Sequence, residues 1–470
     1  MKKKRSWSTT LCPFRAHLLH KRNSFYVKAA YSILTFSLIL LIAFSLTSCD
    51  ILNNAINSVF EVYTPSTTNN YQGLSQEIVG GNSTYEWKRS RIGYDCLNTQ
   101  NQKDCYNRMK TAVYNVLNDP TAKGDYYTEK IRLEGITLPS NELRLVLTAF
   151  LEDHPEIFWI SNGFEYVNDN QGTSFQMLSS YSGATLQEMI ETFNLILDDI
   201  LKKIPSYLNK YELEVYIHDY IIENCIYDKQ AASKNDMGMS SSAYGALVDG
   251  KAVCEGYAKA FKLLLSYVGI ESFNVTGMGK EELHLWTAVN LDNELNNEWY
   301  YVDVTWDDSD TSDKSGNYDY FNITTEQLEY DHTIAKKYAE FTANEINGYD
   351  MDYPANFNLF IPVCDSLTEN YYRKNLTVIY DFSNNNEEQL KNALYESAYA
   401  KKGYINYLVD TDVYDFESVY QKLFKEESRY FRYIDDVNRK LDDYTIDSEN
   451  VRASEKPHIN VITILIAYSE

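Results

Sequence analysis

The stretch of sequence that decides the fold is GKAVCEGYAKAF, residues 250–261. From Cys254 onward, apolar and aromatic side chains recur at the three- and four-residue spacing of one helix face. Gly250 indicates a turn before the helix, and Gly269 stands where a glycine commonly ends one. Cys254 is therefore predicted to lie in the first helical turn, on the buried face, where the helix dipole and unbonded N–H groups favour a thiolate.

Two segments downstream of the helix have the alternation of β-strands. They read LHLWTAVN at 283–290 and WYYVDVTW at 299–306, and the turn-like residues 292–297 connect them. If the turn is centred between Asn293 and Glu294, paired positions sum to 587, so His284 and Asp303 lie directly opposite, with Cβ atoms about 4.5–5.5 Å apart. A register two residues away would make them diagonal neighbours instead.

Cys254, His284 and Asp303 together form the set that a thiol nucleophile needs. The thiol attacks, the imidazole takes and gives the proton, and the carboxylate orients the imidazole. Alone, a buried cysteine is usually a small core side chain. A structural zinc site normally has four ligands, often in close pairs, and this set contains no such pair.

The order of these residues and their flanks resembles the transglutaminase-like superfamily of cysteine acyltransferases and peptidases. The resemblance is clearest over residues 205–335, although Thr287 and Val304 stand where the family often has Asn and Pro. Six further segments resemble parts of bacterial members: 153–159, 217–222, 225–228, 242–247, 320–324 and 331–333.

The resemblance implies an α+β fold with a papain-like core, in which the cysteine helix packs on an antiparallel sheet. It also implies Cys254, His284 and Asp303 as catalytic residues and an acyl-enzyme intermediate. No cofactor and no metal are implied, and no EF-hand calcium loop is recognisable. A second oxyanion donor beside the Cys254 N–H is expected. The identity of this donor stays open, and Tyr244 is the one candidate.

Two further histidines and a cysteine are interpreted as structural. His218 lies in an amphipathic helix and is expected to pack or to cap. His332 follows Asp331 in a segment that reads as a polar loop, where a local hydrogen bond is expected. Cys225 is interpreted as part of the core.

The N-terminus predicts the compartment. A long basic region precedes an apolar run at 31–46, and LTSC at 46–49 matches a bacterial lipobox. Residues 1–48 are therefore predicted to be a lipoprotein signal peptide and Cys49 the lipidated first residue. The alternative is an uncleaved membrane anchor, since the run approaches spanning length. Both interpretations place the rest of the chain outside the cytoplasmic membrane.

Charge and cysteine content argue against two classes of protein, nucleic-acid-binding proteins and disulfide-stabilised scaffolds. Removing residues 1–48 would leave 35 of the 43 basic residues against 67 acidic ones, which argues against nucleic acid as a partner. Cys96 and Cys105 either pair in an oxidising compartment or remain thiols. The chain is too poor in cysteine for a disulfide scaffold.

A chain of 470 residues needs more than one hydrophobic core. A small α+β domain is predicted before the transglutaminase-like core, and an α/β domain of unknown role after it. The predicted boundaries are 1–48 signal peptide, 49–90 tether, 91–182 N-terminal accessory domain, 183–345 catalytic core and 346–470 C-terminal accessory domain. Elements predicted before the core are helices at 100–118 and 142–151 and a strand at 156–166, and a helix at 185–203 leads into the core. After the core, strands are predicted at 376–380 and 460–467 and a helix at 387–400.

The sequence therefore predicts a lipid-anchored, extracytoplasmic thiol enzyme. Its partners would be the membrane, through the anchor, and a protein or peptide substrate, with cell-wall peptide among the candidates. Whether the acyl group passes to water or to an amine stays open. The rival class is a non-catalytic cell-wall or protein-binding lipoprotein that uses the same fold as a scaffold.

Overall fold

The structure is a computed structural model, and the described residues all lie in one compact unit, Asn70–Glu470. The described ranges are 90–118, 126–234, 238–291, 298–308, 317–341 and 357–469. The predicted signal peptide, the predicted lipidation residue Cys49 and nearly all of the predicted tether lie outside them. Within these ranges, no helix is both long and apolar enough to cross a membrane.

The first described part combines a small antiparallel sheet with three helices. Its elements are α1 (Ile92–Asp95), α2 (Gln100–Asn115), β1 (Tyr126–Tyr127), β2 (Ile131–Glu134), α3 (Ser140–Asp153), β3 (Ile160–Asp169) and β4 (Gly172–Ser179). Strands β1, β2 and β3 all pair antiparallel with β4. A capping box between Thr99 and Gln102 satisfies N–H groups at the start of α2.

The middle of the chain contains the predicted cysteine helix and hairpin. Its elements are α4 (Gly183–Lys203), α5 (Lys210–Asn224), β5 (Ile226–Tyr227), α6 (Lys229–Lys234), α7 (Ala243–Leu247), β6 (Lys251–Ala252), α8 (Cys254–Tyr267), β7 (Glu271–Gly279), β8 (Glu282–Asn290), β9 (Trp299–Val302), α9 (Val304–Asp307), β10 (Phe321–Ile323), α10 (Thr325–Leu328) and β11 (His332–Ile334). Five of the strands form a sheet in the order β10-β9-β8-β7-β11, with every neighbouring pair antiparallel.

Helix α8 packs across β7 and β8, which confirms the predicted cysteine helix on an antiparallel sheet. The helix ends as its sequence predicts. Gly269 has a φ of +78°, a conformation that glycine adopts without steric cost. The N–H groups of Gly269 and Ile270 bond back to the carbonyls of Ser266 and Leu265 at 3.3 and 3.0 Å. This is the paired closing pattern of a Schellman motif.

The first part is tied to α8 and β7 through the end of α3. The buried Lys262 of α8 donates to the backbone carbonyl of Glu152 at 2.7 Å and also to its carboxylate. The same carboxylate accepts the Asn274 N–H of β7 at 2.7 Å. A buried lysine is stable only when paired, so these contacts fix the N-terminal part against the sheet.

The last part has its own sheet and its own hydrophobic cluster. Its elements are α11 (Tyr371–Asn375), β12 (Thr377–Ile379), α12 (Asn384–Tyr399), β13 (Tyr404–Val409), α13 (Phe416–Phe424), α14 (Arg429–Asn438), β14 (Thr445–Ile446), β15 (Arg452–Lys456), β16 (Val461–Leu465) and β17 (Tyr468–Ser469). Strands β12 and β13 are parallel, and β16 and β15 follow antiparallel. The structure thus has the predicted α/β character here, whereas the proposed domain boundaries stay a prediction.

The predicted hairpin exists, with the alternative register and with a shorter return strand than predicted. Thr287 pairs with Val302, which places the register two residues from the one that would set His284 directly opposite Asp303. The return strand ends at Val302, whereas the alternation at 299–306 predicts that it continues beyond Asp303. Asp303 leaves the strand because its side chain caps α9, so the chain turns helical where alternation alone predicts a strand.

Candidate active site

Cys254 is the first residue of α8, as predicted, and its side chain is half-buried rather than fully buried. The preceding residue, Val253, offers no side-chain cap to the helix. The first backbone N–H groups of a helix have no intrahelical partner, and they carry the positive end of the helix dipole. The thiol therefore lies where a negative charge is favoured, with access to solvent.

His284 lies on β8 and contacts both other members of the predicted set. Its Nε2 lies 2.7 Å from Asp303 Oδ2, and its ring also hydrogen-bonds the Cys254 thiol. Since Nε2 faces the carboxylate, Nδ1 is left for the sulfur. Burial alone would lower the pKa of His284, but the charge and hydrogen bond of Asp303, together with the thiol, raise it to about 10.

Asp303 is 1% exposed, and both of its carboxylate oxygens are occupied. Oδ1 accepts the N–H groups of Thr305 and Trp306 at 3.1 and 3.2 Å, which is the helix cap of α9. Oδ2 faces His284. Burial works to raise the pKa of Asp303, but the charge and hydrogen bond of His284 and a second histidine outweigh it and lower the pKa well below the usual range.

The second histidine on Asp303 is His332, which sequence reasoning missed. It was expected in a polar loop, yet it lies on β11 and is 2% exposed. The expected bond to Asp331 is present, from Nδ1 to Oδ1 at 2.7 Å, but Nε2 also lies 3.2 Å from Asp303 Oδ2. Strand β11 pairs with β7 on the side away from β8, so His332 and His284 approach Asp303 from opposite sides of one strand.

The side chains of His284, Asp303 and His332 also form the one cluster in the described ranges that could supply metal ligands, with ligand atoms within 4.8 Å of one another. Both Nε2 atoms, however, face the same carboxylate oxygen at hydrogen-bond distance. A metal ion there would have to replace both N–H groups, because a metal takes the nitrogen lone pair. The geometry therefore fits a hydrogen-bonded network.

Indole rings enclose the polar groups of the site. The ring of Trp306 lies 4.2 Å from that of His332 and 5.4 Å from that of His284, measured between centroids. Trp286 lies 5.1 Å from His332 on another side. The ammonium of Lys280 sits 4.8 Å above the Trp306 ring. Such a wall excludes water and strengthens the electrostatic contacts inside it.

Gly279 of β7 leaves the space that the His284 and Trp306 rings occupy. A Cβ added there would lie 2.7 Å from Trp306 Cζ2 and 3.2 Å from the His284 ring. We expect Gly279→Ala to displace the imidazole and to lower any thiol-dependent turnover by about tenfold or more, because small misplacements of catalytic groups are costly. Gly403→Ala is the control, since nothing lies within 4 Å of its added Cβ. Equal turnover of the two variants would contradict this geometry.

His218 and Tyr244, which the sequence also singles out, have other partners. His218 is buried between Asp219 and Asp307, with Nδ1 and Nε2 at 3.0 and 3.2 Å from their carboxylates. The ring of Tyr244 packs against Phe158 at 4.7 Å, so packing accounts for its burial. The second oxyanion donor thus stays unassigned.

The described residues contain five cysteines, and all are thiols: Cys96, Cys105, Cys225, Cys254 and Cys364. Cys96 and Cys105 therefore do not pair here. Burial raises the pKa of Cys96 to about 11. Burial also raises the pKa values of Cys105 and Cys364, well beyond the usual range. These thiols are poor nucleophiles near neutral pH, because the thiolate is the reactive form.

Comparison with known proteins places this site within a recognised domain. The model of the transglutaminase-like superfamily matches residues 199–304, which include Cys254, His284 and Asp303. The chain thus contains a transglutaminase-like domain, with the predicted α+β, papain-like fold.

Two solved structures are similar to parts of the chain. One is a TGase, at 15% identity over 41% of this chain and 53% of that one, with a TM-score of 0.22. The other is a candidate cysteine protease from Cytophaga hutchinsonii, at 11% identity over 40% of this chain and 68% of that one, with a TM-score of 0.19. The chain spans about half the length of the TGase. No curated protein matches the chain.

Proposed function

We propose that this chain is a thiol enzyme that acts on peptide or carboxamide carbonyls through an acyl-enzyme. One observation carries the proposal: the His284 ring joins the Cys254 thiol at the start of a helix to a buried aspartate 2.7 Å away. A nucleophile bonded to a base, with the base oriented by a third group, is the arrangement of covalent acyl transfer.

In the proposed reaction, the thiolate of Cys254 attacks the carbonyl carbon, and the carbonyl π electrons move onto oxygen. The Cys254 N–H would stabilise this oxyanion. The tetrahedral intermediate collapses as the imidazolium of His284 gives its proton to the leaving amine, which leaves a thioester on sulfur. His284, now neutral, takes a proton from water or from a second amine, which attacks the thioester and restores the thiolate. Asp303 keeps the imidazole in one orientation and tautomer throughout.

The buried charges favour an enzyme over a scaffold that only binds. Asp303 is fully enclosed and ionised, and burying an ion pair seldom adds stability compared with apolar packing. A half-exposed thiol at the end of such a network serves no packing purpose. The polar network is therefore better explained by chemistry at Cys254 than by support of the fold.

Intact-protein mass spectrometry after mixing with peptide and glutamine-containing donors tests the proposal. We expect a transient adduct of the acyl mass on Cys254, whose decay yields acid in water and a new amide when an amine is added. The ratio of the two products decides between a protease or amidase and a transglutaminase. Cys96→Ala is the matched control because Cys96 is the other half-buried thiol of the described residues. If no donor gives an adduct that Cys254→Ala abolishes, the scaffold becomes the better account.

We also propose that the enzyme is lipid-anchored outside a bacterial cytoplasmic membrane through Cys49, with surface protein or cell-wall peptide as substrate. The lipobox at 46–49 supports this proposal. The full-length protein should partition with membranes and incorporate labelled fatty acid, and Cys49→Ser should lose the label. A mature protein whose mass still includes residues 1–48 would contradict it.

A further inference from the structure

We infer that His332 is a positioning residue of the proposed acyl-transfer site: it holds the same Asp303 oxygen as His284 and, through that carboxylate, supports the reactivity of the Cys254 thiol. The inference rests on the proposed function. It extends the set of Cys254, His284 and Asp303 by one residue that contacts neither the sulfur nor a substrate, but acts through the shared carboxylate.

The first support for this role is the set of hydrogen bonds that the Asp303 carboxylate accepts. The carboxylate has four donors: two backbone N–H groups on Oδ1 and two imidazoles on Oδ2, His284 at 2.7 Å and His332 at 3.2 Å. An ionised carboxylate offers about four acceptor positions, so these donors saturate it. Donors on both oxygens thus fix the orientation of the carboxylate. Without His332, Oδ2 of Asp303, the oxygen that orients His284, would keep only one of its two donors.

The second support is the protonation that the partners of His332 require. Nδ1 lies 2.7 Å from Asp331 Oδ1, and Nε2 faces Asp303. A neutral imidazole has a single N–H, so it can donate to only one of two carboxylates, whereas the imidazolium donates to both. Asp331 is held as an acceptor by the hydroxyl of Tyr320, which donates to its Oδ2 at 2.6 Å. The proposal therefore has the buried His332 ring donating from both nitrogens, one to each carboxylate.

Every element packed around His332 contributes to its electrostatic setting. Asp303, at the start of α9, and Asp331 are the carboxylates, and the ring of His284 on β8 lies 5.5 Å away between centroids. Tyr320 contacts His332 edge-on at 5.4 Å, and Trp306 and Trp286 complete the enclosure. From the C-terminal part, His458 stacks on Tyr330 at 4.4 Å and acts on Asp331 electrostatically. His332 therefore acts on Cys254 through Asp303 and His284, which link them.

Two substitutions separate positioning from packing. Glutamine at 332 can place an amide N–H where Nε2 lies, so it retains the donor to Asp303 but loses the charge and the ring. Phenylalanine retains an aromatic ring against Trp306 but has neither donor nor charge. A packing residue would tolerate phenylalanine better than glutamine, and a positioning residue would show the opposite order.

The experiment is the rate of Cys254 alkylation by iodoacetamide against pH, with turnover measured beside it where a substrate is known. We expect the midpoint of the rate profile to rise by about one pH unit in both His332→Gln and His332→Phe, because the charge that acts on the thiolate through Asp303 and His284 is lost. We expect the plateau rate and turnover to stay within a few-fold of wild type in His332→Gln and to fall about tenfold in His332→Phe, as His284 loses its fixed orientation.

Asp331→Asn keeps the test valid if a His332 variant fails to fold. Asparagine can donate to Nδ1, so a neutral His332 still donates Nε2–H to Asp303. The midpoint should rise by less than in His332→Gln, with an unchanged plateau. His154→Gln is the matched control: His154 is also buried beside a carboxylate, Glu156 at 3.1 Å, and its replacement should leave the profile unchanged.

The outcomes separate the two claims. Suppose that wild-type Cys254 reacts rapidly and that this reactivity depends on His284. The inference about His332 alone is then overturned by either of two results: all three variants keep the wild-type midpoint, or His332→Phe is more active than His332→Gln. If wild-type Cys254 reacts no faster than Cys96, the proposed function is contradicted, and the inference falls with it.

Discussion

Replacing Cys254 by alanine is expected to abolish acyl transfer and to leave the folded protein intact. The nucleophile is irreplaceable in the proposed reaction, and in enzymes of this type loss of one acting group removes about 10⁶ of the rate. The thiol is half-buried and the substitution removes one atom, so we expect the free energy of unfolding to change by about 1 kcal/mol or less. Turnover and urea denaturation on the same preparations measure both effects.

Residual turnover in Cys254→Ala above that of a heated sample would contradict the assignment of the nucleophile. Cys96→Ala serves as the control here too and should keep full turnover. A large loss of stability in Cys254→Ala would show that the sulfur supports the fold, which would favour a scaffold.

Replacing Asp303 is expected to give the second largest effect, and asparagine and alanine should differ. Asparagine keeps an oxygen that can cap α9, but it removes the charge that fixes His284, so we expect turnover to fall about 10³–10⁴-fold. The alkylation rate of Cys254 should fall much less, since the sulfur is not displaced. Alanine also leaves two buried imidazoles without their anion, and breaking such a pair costs about 3–5 kcal/mol.

The charge of Asp303 can also be tested by the direction in which the free energy of unfolding changes with pH. The folded pKa of Asp303 is lowered, so its contribution to stability is fully present above its unfolded pKa, about 3.9, and is lost only as pH falls towards the lower folded value. Below about pH 4, wild type should therefore lose a contribution that Asp303→Asn lacks, and their free energies of unfolding should converge. Parallel pH curves would show that Asp303 is not the charged partner described.

Asp307→Asn is the matched control for Asp303→Asn. Asp307 lies in the same helical turn, is 1% exposed and bonds a different histidine, His218, at 3.2 Å. Burial raises its pKa to about 7, in contrast to the lowered pKa of Asp303. We expect its replacement to reduce stability and to leave turnover within about tenfold of wild type, because no bond to His284 is lost.

The cysteine helix could be predicted from local sequence because its signals are local. The apolar spacing after Cys254 and the glycine at 269 fix where the helix begins and ends, and the structure confirms both. The contact between His284 and Asp303 was also predicted, but as a pair of opposed strand residues. Alternation through Val304 and Thr305 continues the strand pattern, whereas a side-chain cap at Asp303 ends it after Val302.

The place of His332 could not be predicted by the same means. Its strand has three residues, too few for a visible alternation, and it pairs with β7, more than fifty positions earlier in the chain. Such long-range pairing leaves no local signal. From the sequence, His332 is expected only to form a local hydrogen bond beside Asp331, and the family resemblance implies no further role for the segment 331–333. Cys49 lies outside the described residues, so the anchor stays a prediction.

Competitive alkylation of the native protein near pH 7, followed by peptide mass spectrometry, tests the central claim most directly. The central claim is that Cys254 is a nucleophile activated by His284. We expect Cys254 to react first, at least about tenfold faster than the next of the five thiols, because burial raises the pKa values of Cys96, Cys105 and Cys364. His284→Ala should remove most of this advantage. Uniform, slow labelling of Cys254 with or without His284 would contradict the account.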